Sequence, residues 1–180
     1  MRTRRGFTLI ELLIVVVLLG IAGMLVIPAM GSIGALRIQA AVRTLVSDLT
    51  FAQSDAIATQ QRRAVVFDVA NNGYTLVQVV GGVINTSTGT LYNPGNNGNR
   101  FEVYFNAPEY AGARITSANF GSTTSPATLI FDDMGSPVMG PSGDTAGPGG
   151  IIRIQGTDQI FDVVVEPFTG RVTVRKVAGS

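Results

Sequence analysis

Between Phe7 and Ile27 the chain carries twenty-one consecutive residues without a charge, apart from the acid Glu11. A helix needs about 20 such residues to cross the hydrocarbon core of a bilayer. Three basic residues, Arg2, Arg4 and Arg5, come before the run, and positive charge of this kind stays on the cytoplasmic side. A secretory signal has a shorter apolar core followed by a small-residue cleavage site, which this run does not match. An acid at the centre of a spanning helix costs about 2.5–3.5 kcal/mol on insertion scales. Glu11 lies near one end, where the cost is smaller, but a plain anchor has no use for it.

The acid acquires a use if a peptidase cuts after Gly6. Glycine has no side chain and fits a tight cleavage site. The basic hexapeptide Met1–Gly6 then leaves, and Phe7 carries a new α-amino group one helical turn from Glu11. In a bundle of such helices the carboxylate attracts the free amine of a neighbouring subunit. The pairing offsets the burial of both charges and fixes the axial register.

These residues carry a resemblance. The segment RRGFTLIELLIVVVLLGIAGMLVIP resembles the N-terminus of type IV pilins and type II secretion pseudopilins. The resemblance implies prepilin cleavage between Gly6 and Phe7, N-methylation of Phe7 and an assembly role for Glu11. It places Gly20 and Pro28 where the helix of such subunits melts or kinks in a filament. By sequence physics alone, both residues weaken a helix. The motif covers the first sixth of the chain and is highly specific. The implied partners are other pilin or pseudopilin subunits, a prepilin peptidase, an inner-membrane assembly platform and membrane lipid. The implied location is the bacterial inner membrane, crossed once, with the soluble domain in the periplasm.

Beyond the membrane segment, Ile38, Val42, Leu45, Leu49, Ala52 and Ala56 recur at helical spacing and mark one apolar face. The spacing predicts that this face lies on the protein's own globular domain. Gly31 and Gly34 predict a loose junction just after Pro28. If Phe7–Gln61 is wholly helical, it measures about 80 Å. After Arg63 the period changes to that of strands. AVVFDVA, NNG and YTLVQVV read as a hairpin with Asn72-Gly73 at its turn. RFEVYFN, ARITSANF, TLIFDD, IIRIQ, IFDVVVE and RVTVRK read as further strands. The short spacing and turn-rich connections predict antiparallel sheet, in two layers, resting on the long helix. The fold class is α+β, pilin-like. Its expected parts are a leader at 1–6, a membrane and assembly helix at 7–28, the soluble half of the helix at 29–63 and a β-domain at 64–180. Residues 85–99 and 137–150 are rich in turn formers and are expected to be a long loop or hairpin tip and a flexible surface loop.

The C-terminal half narrows the family. LIFDDMGSP, GGIIRIQ and IFDVVVEPFTGRVTVRK resemble the GspH/FimT-type domain of minor pseudopilins and pilins. The residues that carry the likeness are Phe131, Gly135, Thr169, Gly170, Arg171 and Val172. The implied function is a structural subunit: a minor pseudopilin of a type II secretion pseudopilus, or a minor pilin of a type IV pilus. The alternatives are a FimT-like minor pilin that binds DNA for uptake and a major pilin.

Composition bears on the remaining classes. The 180 residues include no cysteine and no histidine, which removes the commonest thiol nucleophile, metal ligand and general base together. No enzyme activity and no cofactor are expected. The GPGG stretch lacks the following Lys-Ser/Thr of a phosphate loop. Asp132, Asp133 and Asp144 match no calcium-loop spacing, so no metal site is expected. The net charge is +1, and it turns negative once the three N-terminal arginines are set aside, against a basic nucleic-acid-binding domain. The candidate DNA contacts are Arg171, Arg175 and Lys176, a local cluster in the last ten residues.

Overall fold

The computed structural model describes residues 8–95, 99–121 and 127–177, with the side chains of 25–33 left out. A single helix, α1 (Leu9–Thr59), occupies the first third of the chain. Thr8 caps it in an extended conformation, and its hydroxyl accepts a hydrogen bond from the Glu11 N–H at 3.3 Å. The helical backbone continues through Gly20 and Pro28. It closes at Gln60, whose left-handed backbone (φ 52°) lets the Gln61 N–H return to the Ala56 carbonyl at 3.2 Å. The helix therefore stops four residues before the expected boundary at 63.

Among the described residues ten strands follow, all paired antiparallel. The first sheet contains β1 (Arg63–Asp68), β2 (Gly73–Val80), β3 (Val83–Ile84), β4 (Glu102–Tyr104), β6 (Thr128–Phe131) and β7 (Pro137–Val138). Its order is β3-β2-β1-β6-β7, with β4 also paired to β2. The second sheet contains β5 (Arg114–Asn119), β8 (Gly150–Gln155), β9 (Ile160–Val165) and β10 (Val172–Val177), in the order β10-β9-β8-β5. The strands follow from the β-branched runs, and the turns between them fall on Asn, Gly and Pro.

The main core joins the helix to both sheets. Ile38, Val42, Leu45, Leu49, Ala52 and Ala56 are all buried, as their spacing predicts, and Ala41 is buried with them. They pack against Val65, Phe67, Leu76 and Phe131 of the first sheet and Ile115, Ile152, Ile154 and Val163 of the second. Phe67 lies 5.7 Å from the Tyr74 ring and 5.4 Å from Phe120, which is the spacing of tilted aromatic pairs.

Asn72 does more than turn the hairpin. It adopts the left-handed conformation (φ 59°) that a tight hairpin turn demands. Its side chain is buried and reaches across to the second sheet. The amide donates to the Ala113 carbonyl at 3.0 Å, and its oxygen accepts from the Ile115 N–H at 2.8 Å. One turn residue thus holds the two sheets in register.

The described parts of both turn-rich segments are tied to the sheet, and residues 96–98 of the first lie outside the described residues. Residues 85–95 and 99–100 fold back along β2: Gln78 N–H donates to the Gly89 carbonyl at 2.8 Å and Leu91 N–H to the Leu76 carbonyl at 2.9 Å. The segment 137–150 supplies β7 and a bridge from Val138 to Ala146. Val138 seals a second, smaller core with Ala64, Val66, Val77 and Ile130. That layer explains why β1 is buried on both faces and shows no alternation.

Candidate assembly surfaces

The helix divides into two halves with opposite surroundings. From Leu9 to Met24 every side chain is exposed, including Ile10, Leu13, Val17 and Ile21. These sixteen helical residues, apolar but for Glu11 and with no described residue packed against them, form a surface that lipid or other helices must cover. Glu11 lies at the third helical position, three residues after its cap, Thr8. This Thr-x-x-Glu spacing is a capping-box signature, and an acid in the first turn also complements the helix dipole. The spacing gives the acid a second, local use that the membrane argument alone passes over. Gly6 and Phe7 lie outside the described residues.

Among the described residues no helix is long and apolar enough to cross a membrane. The described side chains of the apolar run end at Met24, whereas the sequence carries the run on to Ile27.

The docked half of the helix holds the β-domain through polar clamps as well as the core. Arg63, buried at the start of β1, pairs with Asp55 and donates to the Thr59 hydroxyl at 2.8 Å. Gln53 donates to two turns at once, to the Gly135 carbonyl and to the Thr169 carbonyl, each at 2.8 Å. The glycines that carried the family likeness find their reason here. Gly170 has φ 64°, and a Cβ there would lie 2.5 Å from both Gln53 Nε2 and the Gly135 carbonyl oxygen. Gly135 has φ 82°, and a Cβ there would lie 2.8 Å from Ile57 Cδ1. Only a residue without a side chain fits either place.

Asp48 is the unusual titrating group of this interface. The Tyr74 hydroxyl donates to Asp48 Oδ2 at 2.6 Å. Burial raises the Asp48 carboxyl to about 6, and the tyrosine hydrogen bond only partly opposes that rise. Burial, with the Asp48 charge next in importance, pushes the Tyr74 hydroxyl up as well. A carboxyl whose folded value lies above its unfolded one favours folding fully below about pH 4, and that contribution is lost as pH rises through about 6. Asp48→Asn keeps an acceptor for Tyr74 and removes the charge. Between pH 4 and pH 7 the parent is expected to lose about 1–2 kcal/mol of stability relative to Asp48→Asn, after allowance for the carboxyl's partial contact with water. Denaturant unfolding of both proteins at the two pH values measures it; parallel curves would refute it.

The three candidate DNA contacts do not share one face. Arg171 is exposed just before β10. Arg175 stands opposite Asp162 in the β9–β10 register. Asp162 is held below the usual carboxylate range, first by its hydrogen bonds from Arg153 at 2.7 and 2.9 Å, with Arg175 adding to the effect. Lys176 follows directly in the strand and points to the other side of the sheet. Asp132, Asp133 and Asp144 do not converge as ligands either. Asp132 Oδ1 accepts from the Met134 and Ser136 N–H groups at 3.0 and 2.7 Å, and Asp144 pairs with Arg62. Among the described residues no group of side chains is arranged to hold a metal ion.

A long helix, half bare and half packed on two antiparallel sheets, is the architecture of a pilin-like subunit. The fold is similar to that of the minor pseudopilin EpsH from the Type 2 Secretion System of Vibrio cholerae, with a TM-score of 0.51 at 14% identity over 79% of this chain and 97% of that one. The type IV minor pilin FimU of Pseudomonas aeruginosa gives a TM-score of 0.48 at 19% identity, over 77% of this chain and 87% of that one. No curated protein sequence matches the chain. Residues 1–27 match the prokaryotic N-terminal methylation motif, and residues 41–170 match the family described as Type II transport protein GspH. The chain belongs to that GspH family. It is a membrane-anchored protein of pilin type, in a family of structural subunits and not of enzymes.

Proposed function

We propose that the protein is a minor subunit of a type II secretion pseudopilus or a type IV pilus, matured by a prepilin peptidase and assembled from the bacterial inner membrane into a filament. The carrying observation is the bare apolar helix Leu9–Met24, continuous with a helix that docks one face on the β-domain from Ile38 to Ala56. A plain anchor needs only the first of these. A helix rigidly joined to a folded head transmits the position of the head to the bundle of helices beneath it. On this reading the β-domain lies on the periplasmic side, the assembly platform draws subunits from the bilayer, and Gly20 and Pro28 supply the places where the helix loosens on packing. Glu11 meets the Phe7 amine of a neighbour and sets the register.

Mass spectrometry of the protein from its native membrane tests the maturation step. The expected chain begins at N-methylated Phe7. A chain that retains Met1, or begins near residue 30, would overturn the proposal.

A further inference from the structure

The second sheet turns one face to the helix and leaves the other open. Ile115, Ile152, Ile154 and Val163 stand on the buried face. Side chains alternate along a strand, so the residues between these point outward. The pairing register sets Ser117, Arg153, Asp162 and Arg175 in one outward row across β5, β8, β9 and β10. Ile151 and Val164 stand opposite each other in the next row. Arg114 lies in the row on the other side, opposite Gln155. Neighbours of this kind on one face are within reach of each other. Asp162, nearly buried and held by Arg153, is the acid of these rows and stands among three arginines. Arg114 and Arg175 are exposed and have no ion-pair partner among the described residues. Glu166 and Arg171, which follow at the hairpin end and pair through their backbones, offset each other. The open face is therefore positive.

A trough of about 520 Å³ runs along this face, within the range of ligand clefts, about 300–1,000 Å³. Ile151, 40% exposed, and Val164 make an apolar floor, and Pro148 and Pro167 close one end. That end is fixed in place. Pro148 rests on Gly121, where a Cβ would lie 2.4 Å from the proline ring. Gly149 (φ 73°) passes so close to the Val165 carbonyl that a Cβ would lie 2.1 Å from its oxygen. The other side of the trough carries hydrogen-bond donors. Asn119 Oδ1 accepts from the Gly121 N–H at 2.9 Å, and Arg153 gives Nε and Nη2 to Asp162. The Ser117 hydroxyl, Asn119 Nδ2 and Arg153 Nη1 have no hydrogen-bond partner among the described residues. An apolar floor beside unused donors, on a positive face, asks for a ligand with an aliphatic group, carbonyl oxygens and negative charge.

We infer that the trough receives an extended, acidic segment of another protein. An aliphatic side chain of the segment sits on Ile151 and Val164, its backbone carbonyls accept from Ser117 and Asn119, and a carboxylate lies between Arg153 and Arg175. The apolar floor supplies grip, and the arginines select an acidic sequence over a basic one. Duplex DNA fits this face less well, because phosphate binding needs a track of cations and has no use for a floor of isoleucine, valine and proline. The site goes beyond the subunit reading, since it lies on the sheet face turned away from the helix and needs neither cleavage nor assembly.

The test applies the full chain, in neutral detergent, to an array of hexapeptides built from Glu, Lys, Val, Ser and Gly. Peptides in which Glu alternates with Val are expected to be retained, and those with Lys for Glu or Ser for Val are not. Fluorescence anisotropy with the best retained peptide then compares variants of two exposed positions. Ile151→Glu should weaken binding by about tenfold, and Arg175→Glu by about fivefold. Arg43→Glu makes the same charge change on the exposed flank of the helix and should leave binding unchanged. Circular dichroism checks that each variant is folded. Retention of no peptide, retention that ignores Glu or Val, or binding that neither Ile151→Glu nor Arg175→Glu weakens overturns the inference. A short DNA duplex in the same assay gives a further outcome: duplex binding that Arg175→Glu weakens, with no peptide bound, overturns it in favour of nucleic acid. Self-association of the parent that Ile151→Glu abolishes overturns it in favour of a second copy. Each outcome is independent of where the mature chain begins, so the subunit reading stands or falls separately on the mass of the mature protein.

Discussion

Glu11→Leu is expected to abolish incorporation into filaments while membrane abundance and cleavage after Gly6 stay at parental levels. Removing a charge from an apolar helix makes insertion easier, by as much as about 3 kcal/mol at the centre of a span and by less near its end. Cleavage depends on Gly6 and its flanks, four or more residues away. What is lost is the counter-charge for an α-amino group in a dry bundle, and leaving one member of a buried pair alone costs about 3–5 kcal/mol. The capping role of residue 11 needs its own control, since Glu11 follows Thr8 at capping-box spacing. Glu11→Gln retains that spacing and a polar side chain without the charge. If charge pairing is the role, Glu11→Gln fails to assemble as Glu11→Leu does. Assembly of Glu11→Gln at parental levels would assign the residue to helix capping. Disappearance of either variant from the membrane would assign it to folding or targeting.

Leu45→Asp is expected to unfold the β-domain. Leu45 is fully buried between the helix and both sheets. The substitution removes its apolar packing, worth about 2–5 kcal/mol, and places an unpaired carboxylate in the same space. The sum approaches the whole stability of an ordinary domain, about 5–15 kcal/mol. Ser47→Asp, two residues on and exposed, is expected to change stability by no more than about 0.5 kcal/mol. A soluble fragment beginning at Gly34 provides the measurement, through circular dichroism and denaturant unfolding. It is expected to be a β-rich monomer, and the Leu45→Asp version is expected to lack cooperative unfolding. Equal melting of the two variants would show that the helix does not dock through this face.

Local chemistry made much of the molecule legible. The helical face from Ile38 to Ala56 was visible because 3.6-residue spacing needs no knowledge of what lies opposite. The hairpin at Asn72-Gly73 was visible because few residues tolerate a left-handed turn. The segment 137–150 is legible as surface, since 142–146 are exposed, but not as the source of β7. Its Pro and Gly residues do mark turns, but turn composition says nothing about whether a segment packs, and Val138 closes a core. The residue string groups Arg175 with Arg171 and Lys176, whereas its alignment with Asp162 and Arg153 depends on strand register, which no residue string contains.

The sequence by itself determined the periodicities, the turns, the apolar run with its single acid, and the family these carry. Each depends on a residue and its near neighbours along the chain. Only the tertiary structure decided that Asn72 bridges two sheets, that Gln53 holds two turns from different hairpins, and that Asp48 lies under Tyr74. It also decided that Ser117, Arg153, Asp162 and Arg175 stand in one row although they come from four strands. Those are contacts between residues distant in sequence, created when one helix face and two sheet faces close over a common core, and no local rule contains them.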